Sequence, residues 1–232
     1  MVLCLSLLIA FLIFIVYAQV YEFAFLSYDD PIYTTDNPVV REGLTWSGVI
    51  WAFTEGTYHS NYWAPLTWLT FLVDSELYGM NPGGYHITNV LRHALNSILL
   101  FVVFNRLTGN MWPSFFLAAF FAIHPLHIES VARISERKDM VYTFFWMLTL
   151  IAYKRYVRKP SIVAYSMVFL MFVFCLMGKP MGLALPFVLI WLDYWPLGRC
   201  RSGKAGRRAV IELFNRASQK GILAASENPI FA

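Results

Sequence analysis

Residues 2–20 read VLCLSLLIAFLIFIVYAQV, nineteen positions without a single charged side chain. A helix of that length spans the hydrocarbon core of a bilayer, which is roughly 30 Å thick. A cleaved signal peptide is the alternative, but the stretch lacks a basic start and no small-x-small cleavage site follows it. We therefore expect a retained transmembrane helix over residues 1–20.

The composition of the whole chain also indicates a membrane protein. Of its 232 residues, 58% are hydrophobic and only 14% are charged, against roughly 25% charged in an average soluble domain. So few charges cannot cover a soluble surface, and the apolar residues are concentrated in runs. A soluble enzyme, a soluble nucleic-acid-binding protein and a secreted disulfide scaffold are excluded. The three cysteines, Cys4, Cys175 and Cys200, show neither disulfide nor zinc spacing.

Five further apolar runs follow a polar, acidic segment over residues 21–82. We predict transmembrane helices near residues 84–107, 111–128, 139–157, 161–178 and 181–198. Several have uncharged cores of only about 13 or 14 residues, so the charged groups at their ends must face protein or water. The expected fold class is an all-α polytopic membrane protein with about six transmembrane helices and a large first outer loop. Residues 83–198 hold helices two to six, and residues 199–232 form a basic cytoplasmic tail that we expect to be truncated.

The loop over residues 21–82 contains one amphipathic pattern. Two sets of positions fall on separate helical faces: Leu69, Leu72, Val73 and Leu77 on one, and Thr67, Thr70 and Asp74 on the other. This pattern predicts a helix lying in the membrane interface, with Trp63 and Trp68 as interfacial anchors.

The loop charges predict the orientation of the chain. With six spans, three basic segments fall on one side: Arg106; then Lys154, Arg155, Arg158 and Lys159; then Arg199, Arg201, Lys204, Arg207 and Arg208. The positive-inside rule makes that side cytoplasmic and places the acidic loop outside. The net charge of +4 therefore requires no nucleic-acid partner.

Two adjacent acids, Asp29 and Asp30, follow the first predicted span directly. Near the lipid interface, such a pair can supply a general base and a group that orients it or a metal. A solvated Asp-Pro turn made with Pro31 is the structural alternative. Because Pro31 restricts the backbone right after Asp30, we prefer Asp30 over Asp29 as the base by a small margin.

A second polar group lies where the third predicted span ends and the fourth begins. It contains His124, His127, Glu129, Glu136, Arg137, Lys138 and Asp139. The histidines and Glu129 could ligate a metal, although no further ligand stands at a standard spacing. The alternative is that these side chains form hydrogen bonds at a span boundary or recognise a ligand. Arg137 and Lys138 are cations on the side where bases are scarce, which suggests an anionic phosphate partner. Pairing with Glu136 and Asp139 is the alternative. Arg92, inside the second span, could bind a lipid phosphate or pair with a loop carboxylate.

These segments together resemble a known family. The resemblance rests on SYDDPIY (27–33), NYWAPLTWLTFLVDSELYGMNPGGYHITNVLRHALN (61–96), AIHPLHIESVARISERKD (122–139) and GKPMGLALPFVLIWLDYWPLGR (178–199). They are similar to the membrane half of bacterial tetratricopeptide-repeat glycosyltransferases, which are related to the transmembrane and tetratricopeptide-repeat O-mannosyltransferases. Members of that family have more spans and a C-terminal repeat domain, which this sequence lacks.

The resemblance implies the N-terminal part of a GT-C fold in a bacterial inner (cytoplasmic) membrane. It implies transfer of a sugar, with mannose as one candidate, from a polyprenyl-phosphate donor to a hydroxyl of a protein or glycan acceptor outside the cytoplasm. The loop acid of the family falls on Asp29 or Asp30, and its two polar blocks fall on His124, His127 and Glu129 and on residues 136–139. Donor phosphate would contact Arg92, Arg137 or Lys138. No cofactor is required, and use of a divalent metal stays open.

Two other functions fit the residues alone. One is half of a transporter for a lipid or an anionic solute, since intramembrane Arg and His residues suit both functions. The other is a non-catalytic membrane scaffold. More spans and 34-residue helical repeats downstream of residue 232 would favour the transferase.

The orientation predicts opposite accessibility for two engineered cysteines. In intact cells, Thr57→Cys should react with a membrane-impermeant thiol reagent and Val157→Cys should not, because the first lies in the predicted outer loop. Lysed cells, in which both positions react, provide the control. Labelling of position 157 but not of position 57 would reverse the orientation.

Overall fold

The structure is a computed structural model that describes residues 1–56 and 62–199, and every regular element in these ranges is helical. The α-helices are α1 Val2–Tyr17, α2 Asp30–Tyr33, α3 Pro38–Arg41, α4 Trp46–Thr54, α5 Pro65–Tyr78, α6 Pro82–Thr108, α7 Met111–Ile123, α8 Ile128–Ala132, α9 Arg137–Arg158, α10 Ile162–Gly178 and α11 Leu185–Tyr194. Short 3₁₀ turns occupy Ala18–Glu22, Pro125–His127, Ile134–Glu136 and Pro180–Ala184. The all-α class is confirmed.

Two of the described helical segments are long and apolar enough to cross a membrane. They are Val2–Glu22 and Pro82–Thr108, and the bent pair Met111–Ile123 and Pro125–Ala132 makes a third if it is one span. Helix α10 and the segment Pro180–Tyr194 are apolar but shorter, and α9 has charged residues in its first and last turns. The structure therefore supports two or three spans by length and composition. The count of six stays a prediction.

Helix α6 is the centre of the helical bundle and packs against α1, α7 and α9, while α10 packs on the other side of α9. Polar side chains of α6 reach backbone carbonyls of its neighbours. His93 Nε2 donates to Ala122 O at 2.9 Å, and Asn96 Nδ2 donates to Met140 O at 2.9 Å. Such interhelical hydrogen bonds hold apolar helices in register where the hydrophobic effect between them is weak.

The predicted outer loop folds into short helices around an aromatic core. Trp68 on α5 stacks on Tyr33 with ring centroids 5.0 Å apart. The Trp51 ring meets the Trp68 ring edge-on, with centroids 5.1 Å apart. Phe71 and Tyr85 complete this core. Trp68 is 0% exposed, so its predicted role as an interfacial anchor is wrong: it fills the core of the loop instead.

The predicted amphipathic helix exists as α5, but its polar face contacts protein. Thr67 and Asp74 are each 1% exposed, whereas Leu77 is 64% exposed. Thr67 Oγ1 donates to Gly178 O at 3.0 Å. The polar face therefore attaches α5 to the helical bundle.

Arg137, the first residue of α9, makes the strongest of these attachments. Its side chain is 0% exposed, and Nη1 lies 2.6 Å from Asp74 Oδ2. Nε donates to Asn89 Oδ1 at 2.8 Å and Nη2 donates to Tyr85 O at 3.0 Å. The guanidinium also lies over the Phe71 ring, 4.5 Å from its centroid. One buried cation thus joins α5, α6 and α9.

The chain divides into two compact units, residues 1–185 and 186–232. In the second unit, the structure describes residues 186–199, which contain most of α11 and a salt bridge of 3.1 Å between Arg199 and Asp193. The basic tail predicted for residues 199–232 lies outside the described residues except for Arg199.

The buried ion pair predicts a large loss of stability on Asp74→Asn. The substitution leaves the Arg137 charge buried without its counterion, which costs about 3–5 kcal/mol. Thermal unfolding in detergent measures the loss, and Glu42→Gln, which removes an exposed acid of the same loop, is the control. The double variant Asp74→Leu/Arg137→Met should recover much of the stability, since no unpaired charge remains. A single variant as stable as the control would contradict this role.

Candidate active site

Asp30 connects the first loop to the segment before α9. It is 1% exposed; its Oδ1 accepts from Ser135 N at 2.8 Å and its Oδ2 accepts from Leu26 N at 2.9 Å. Pro31 follows in the first turn of α2, where it restricts the backbone. Both carboxylate oxygens are therefore occupied by backbone donors, and Asp30 acts as a structural link between the two segments.

Asp29 lies beside this link and is more open. Its side chain is 34% exposed, and Oδ2 lies 2.5 Å from Arg133 Nη2. The other end of the Arg133 guanidinium reaches Glu129 Oε1 at 2.8 Å. The guanidinium also lies 5.3 Å from the centroid of the Tyr28 ring. The Arg133 guanidinium thus binds the carboxylates of both Asp29 and Glu129. Part of the Asp29 carboxylate stays accessible.

Four charged side chains, Glu136, Lys138, Asp139 and Lys179, form a charged cluster next to this pair. Lys138 Nζ lies 3.1 Å from Glu136 Oε1 and Lys179 Nζ lies 3.9 Å from Glu136 Oε2. Lys179 also pairs with Asp139. The pairing of Lys138 with Glu136 is the one that the sequence suggested as an alternative. The cluster combines two lysines and two carboxylates. Each lysine can release a carboxylate and bind an anionic ligand in its place.

Two tyrosines border the charged cluster. Lys138 Nζ lies 5.4 Å from the centroid of the Tyr33 ring and 5.8 Å from that of Tyr62. Burial raises the pKa of Tyr62 to about 12 and also raises the pKa of Tyr33. Both hydroxyls stay protonated near neutral pH, and the two tyrosines are hydrogen-bonded to each other beside Lys138.

A polar pocket of about 200 Å³ opens behind the charged cluster. Its polar lining consists of His93, Asn96, His127, Ser130, Asp139, Tyr142 and Thr143. Ser130 Oγ donates to Asp139 Oδ2 at 3.1 Å. Pro125 interrupts the helix after α7 and the chain bends by 51° there, which directs His127 into this pocket.

The two predicted histidines have different surroundings. The His127 ring lies 5.8 Å from that of His93, whereas His124 Nδ1 accepts from Leu126 N at 3.2 Å and caps the following turn. Among the residues that the structure describes, no group of three or more His, Cys, Asp or Glu side chains could hold a metal ion.

Arg92 lines a neighbouring, mainly apolar pocket of about 240 Å³. Its Nη1 is buried and has no hydrogen-bond partner among the described residues. This pocket shares Asn96 and Met140 with the polar pocket. Arg92 therefore lies outside the charged cluster but in a cavity that is adjacent to it.

Arg137 does not belong to the charged cluster. Its donors are directed to Asp74, Asn89 and Tyr85, which does not fit the phosphate contact expected from the sequence. Two residues outside the predicted site take part in it, Arg133 and Lys179. Both stand out in the sequence: Arg133 is a base four positions after Glu129, the spacing of neighbours on a helix, and Lys179 is a charge at the end of an apolar run.

The fold and the site define an all-helical protein with membrane-length apolar helices and acids and bases grouped at helix ends. Comparison with known proteins relates the chain to proteins named protein O-mannosyl-transferases. It is 34% identical over 136 residues to Protein O-mannosyl-transferase TMTC1 of Homo sapiens, over 55% of this chain and 15% of that protein. It is 31% identical over 135 residues to TMTC4 of Homo sapiens, over 51% and 18%. It is 30% identical over 154 residues to Tmtc2 of Drosophila melanogaster, over 63% and 16%.

These relatives confirm the resemblance to the transmembrane and tetratricopeptide-repeat O-mannosyltransferases that the motifs indicated. The chain spans only 15% to 18% of the length of these three proteins. No family model matches the chain, and no solved structure does.

The Asp30 link predicts a local loosening on Asp30→Ala. The substitution leaves the Ser135 and Leu26 amides without their acceptor, at a cost of about 1–3 kcal/mol. Hydrogen exchange should show faster exchange of these two amides, while Asp36→Ala, an exposed acid of the same loop, should leave them protected. Unchanged protection in Asp30→Ala would contradict the link.

Proposed function

We propose that the chain is part of a membrane glycosyltransferase. It transfers a sugar, mannose by analogy with the names of its relatives, from a polyprenyl-phosphate donor to a hydroxyl of a protein or glycan acceptor. The proposal includes the predicted topology: six spans in a bacterial cytoplasmic membrane, with the reaction on the non-cytoplasmic side, as the positive-inside rule favours.

One observation carries the proposal: distant acidic and basic segments meet at one place. Asp29 pairs with Arg133, 104 positions away, and Asp30 accepts from Ser135, 105 positions away. Three residues of the charged cluster, at positions 136, 138 and 139, and Ser130 of the polar pocket lie within a few positions of Arg133 and Ser135 along the chain. Sugar transfer from a lipid phosphate requires a base, cations and a polar cavity close to an apolar one, and these are the components that meet here.

Asp29 is the proposed general base. It is the accessible member of the pair, and Arg133 orients it, whereas both oxygens of Asp30 are occupied. This assignment reverses the preference drawn from Pro31. In the proposed step, the Asp29 carboxylate takes the proton of the acceptor hydroxyl. The acceptor oxygen forms a bond to the anomeric carbon, and the bond from that carbon to the phosphate oxygen breaks. Lipid phosphate leaves with the electron pair, and the transfer inverts the anomeric centre.

The cations of the site have distinct proposed roles. Arg92, with its unpartnered Nη1 in a mainly apolar pocket, would bind the donor phosphate near its lipid chain. Lys138 and Lys179 would contact that same phosphate from the side of the sugar and stabilise the charge that develops on it as it leaves, as fixed cations do in a preorganised site. The polar pocket with His127 and Asp139 would receive the sugar. Arg137 would position Lys138 through the backbone of α9 without touching the substrate.

The test of the proposal is the variant Asp29→Asn, made in the full-length enzyme. Loss of a general base lowers the rate by about 10²–10⁴-fold, while asparagine preserves the size of the side chain. Transfer of radiolabelled mannose from polyprenyl-phosphate mannose to an acceptor peptide measures the rate.

The control is Asp36→Asn, an exposed acid of the same loop, which should transfer at the wild-type rate. Equal expression and equal thermal unfolding of the two variants separate a loss of chemistry from a loss of fold. Wild-type transfer by Asp29→Asn would refute Asp29 as the base. The absence of transfer in the wild-type enzyme with any polyprenyl-phosphate sugar would refute the donor class.

A further inference from the structure

A third cavity lies between α6 and α9, at the end of α9 opposite the candidate active site. It has a volume of about 440 Å³, and five cations line it: Arg106, Lys154, Arg155, Arg158 and Lys159. Helix α9 runs from Arg137 to Arg158, and 22 residues at 1.5 Å each extend about 33 Å. The two ends of α9 are thus separated by about the thickness of a bilayer core.

The five cations have no salt-bridge partner among the described residues. Lys154 is partly buried and shares the lining of the cavity with Arg106 and Arg158. Like charges held this close repel one another, so an anion in the cavity would stabilise the arrangement.

The cavity has an apolar side that continues into a groove. Val103, Leu107, Leu150 and Ile151 line it between the cations. A larger groove of about 730 Å³ between α9 and α10 begins at the same place, because Ile151, Arg155 and Lys159 line both. Leu148, Val163, Met167 and Met171 line the groove farther along. The cationic cavity thus opens directly onto the mainly apolar groove.

From this geometry we infer that the cavity binds the headgroup of a membrane lipid with two phosphates, of the cardiolipin class, and that the groove holds its acyl chains. Five cations exceed what one phosphate needs, and arginines bind phosphate oxygens in a bidentate manner. Basic cavities between transmembrane helices are suited to such headgroups. The positive-inside rule accounts for the side on which these residues lie, but it does not require them to meet around an apolar-walled cavity. The inference does not depend on the proposed sugar transfer, but it rests on the predicted topology, in which α9 and α10 span the membrane.

The first measurement is thermal unfolding of the protein in detergent micelles doped with one lipid at a time. Cardiolipin should raise the unfolding temperature by several degrees, because a ligand of the native state stabilises it. Phosphatidylcholine should not raise it, and free inorganic pyrophosphate and phosphatidylglycerol at equal phosphate concentration should each raise it less than cardiolipin does. A shift with pyrophosphate equal to that with cardiolipin would show an anion site without lipid recognition. An equal shift with phosphatidylglycerol would refute the preference for two phosphates.

The second measurement uses variants of the cavity. Arg106→Gln/Lys154→Gln removes two charges, each worth about 1 kcal/mol at an anionic surface, so cardiolipin should bind roughly 30-fold more weakly. The matched control Arg106→Lys/Lys154→Arg keeps both charges and the topology signal, and it should keep the cardiolipin shift.

A third variant keeps the test valid if loss of charge disturbs membrane insertion. Ile151→Trp retains all five cations but fills the junction of the cavity and the groove, and it should also abolish the shift. A cardiolipin shift of wild-type size in Ile151→Trp, or in a well-inserted Arg106→Gln/Lys154→Gln variant, would overturn the inference.

Discussion

The ion pair between Arg137 and Asp74 is the interaction on which the rest of the described structure depends. It lies at the start of α9, where a buried cation meets a carboxylate of α5, an amide of α6 and the face of an aromatic ring. Burying both charges is costly, and the ion pair offsets this cost together with the hydrogen bonds that the guanidinium donates to Asn89 and Tyr85. The arrangement therefore allows one relative position of the loop helix and the bundle.

That position determines where the candidate active site forms. Lys138 and Asp139 follow Arg137 directly, so a fixed Arg137 fixes the first turn of α9 and the charged cluster on it. On the other side, Asp30 binds the Ser135 amide two residues before Arg137. The loop is thus attached to the same short segment twice, once through α5 and once through Asp30, and Asp29 is left beside the cluster with an accessible carboxylate.

The distribution of charge differs between the two ends of α9. At the Arg137 end, acids and bases pair with one another in the charged cluster. An anionic ligand would bind there by replacing a carboxylate as the partner of a lysine. At the Arg158 end, the cations have no acidic partners among the described residues and surround a cavity with apolar walls. The same helix thus presents a mixed-charge surface at one end and a purely cationic one at the other. Chemistry that moves charge suits the first, and a permanent anionic ligand suits the second.

Much of the fold class and the relatedness could be predicted from the sequence. Charge-free runs such as residues 2–20 have few alternatives to a membrane helix, because a bilayer offers no partner for backbone groups other than the helix itself. The motifs around Asp29, His127 and residues 136–139 identified the segments that meet. The sequence was less informative about α5, because a period of 3.6 shows that a helix has two faces but not which face contacts protein. Trp68 and Asp74 were therefore read as interfacial when they are buried.

The roles of neighbouring residues were decided only by the tertiary structure. Asp29 and Asp30 are equivalent in sequence, yet two backbone amides from separate segments occupy Asp30 and leave Asp29 accessible. Arg137 and Lys138 are adjacent cations, yet the helical rotation of about 100° per residue turns one into the core and the other toward Glu136. The sequence by itself determined that helices form and which segments carry acids and bases. Which carboxylate is open and which cation is available depended on contacts between residues about 50 to 100 positions apart, and no local pattern encodes them.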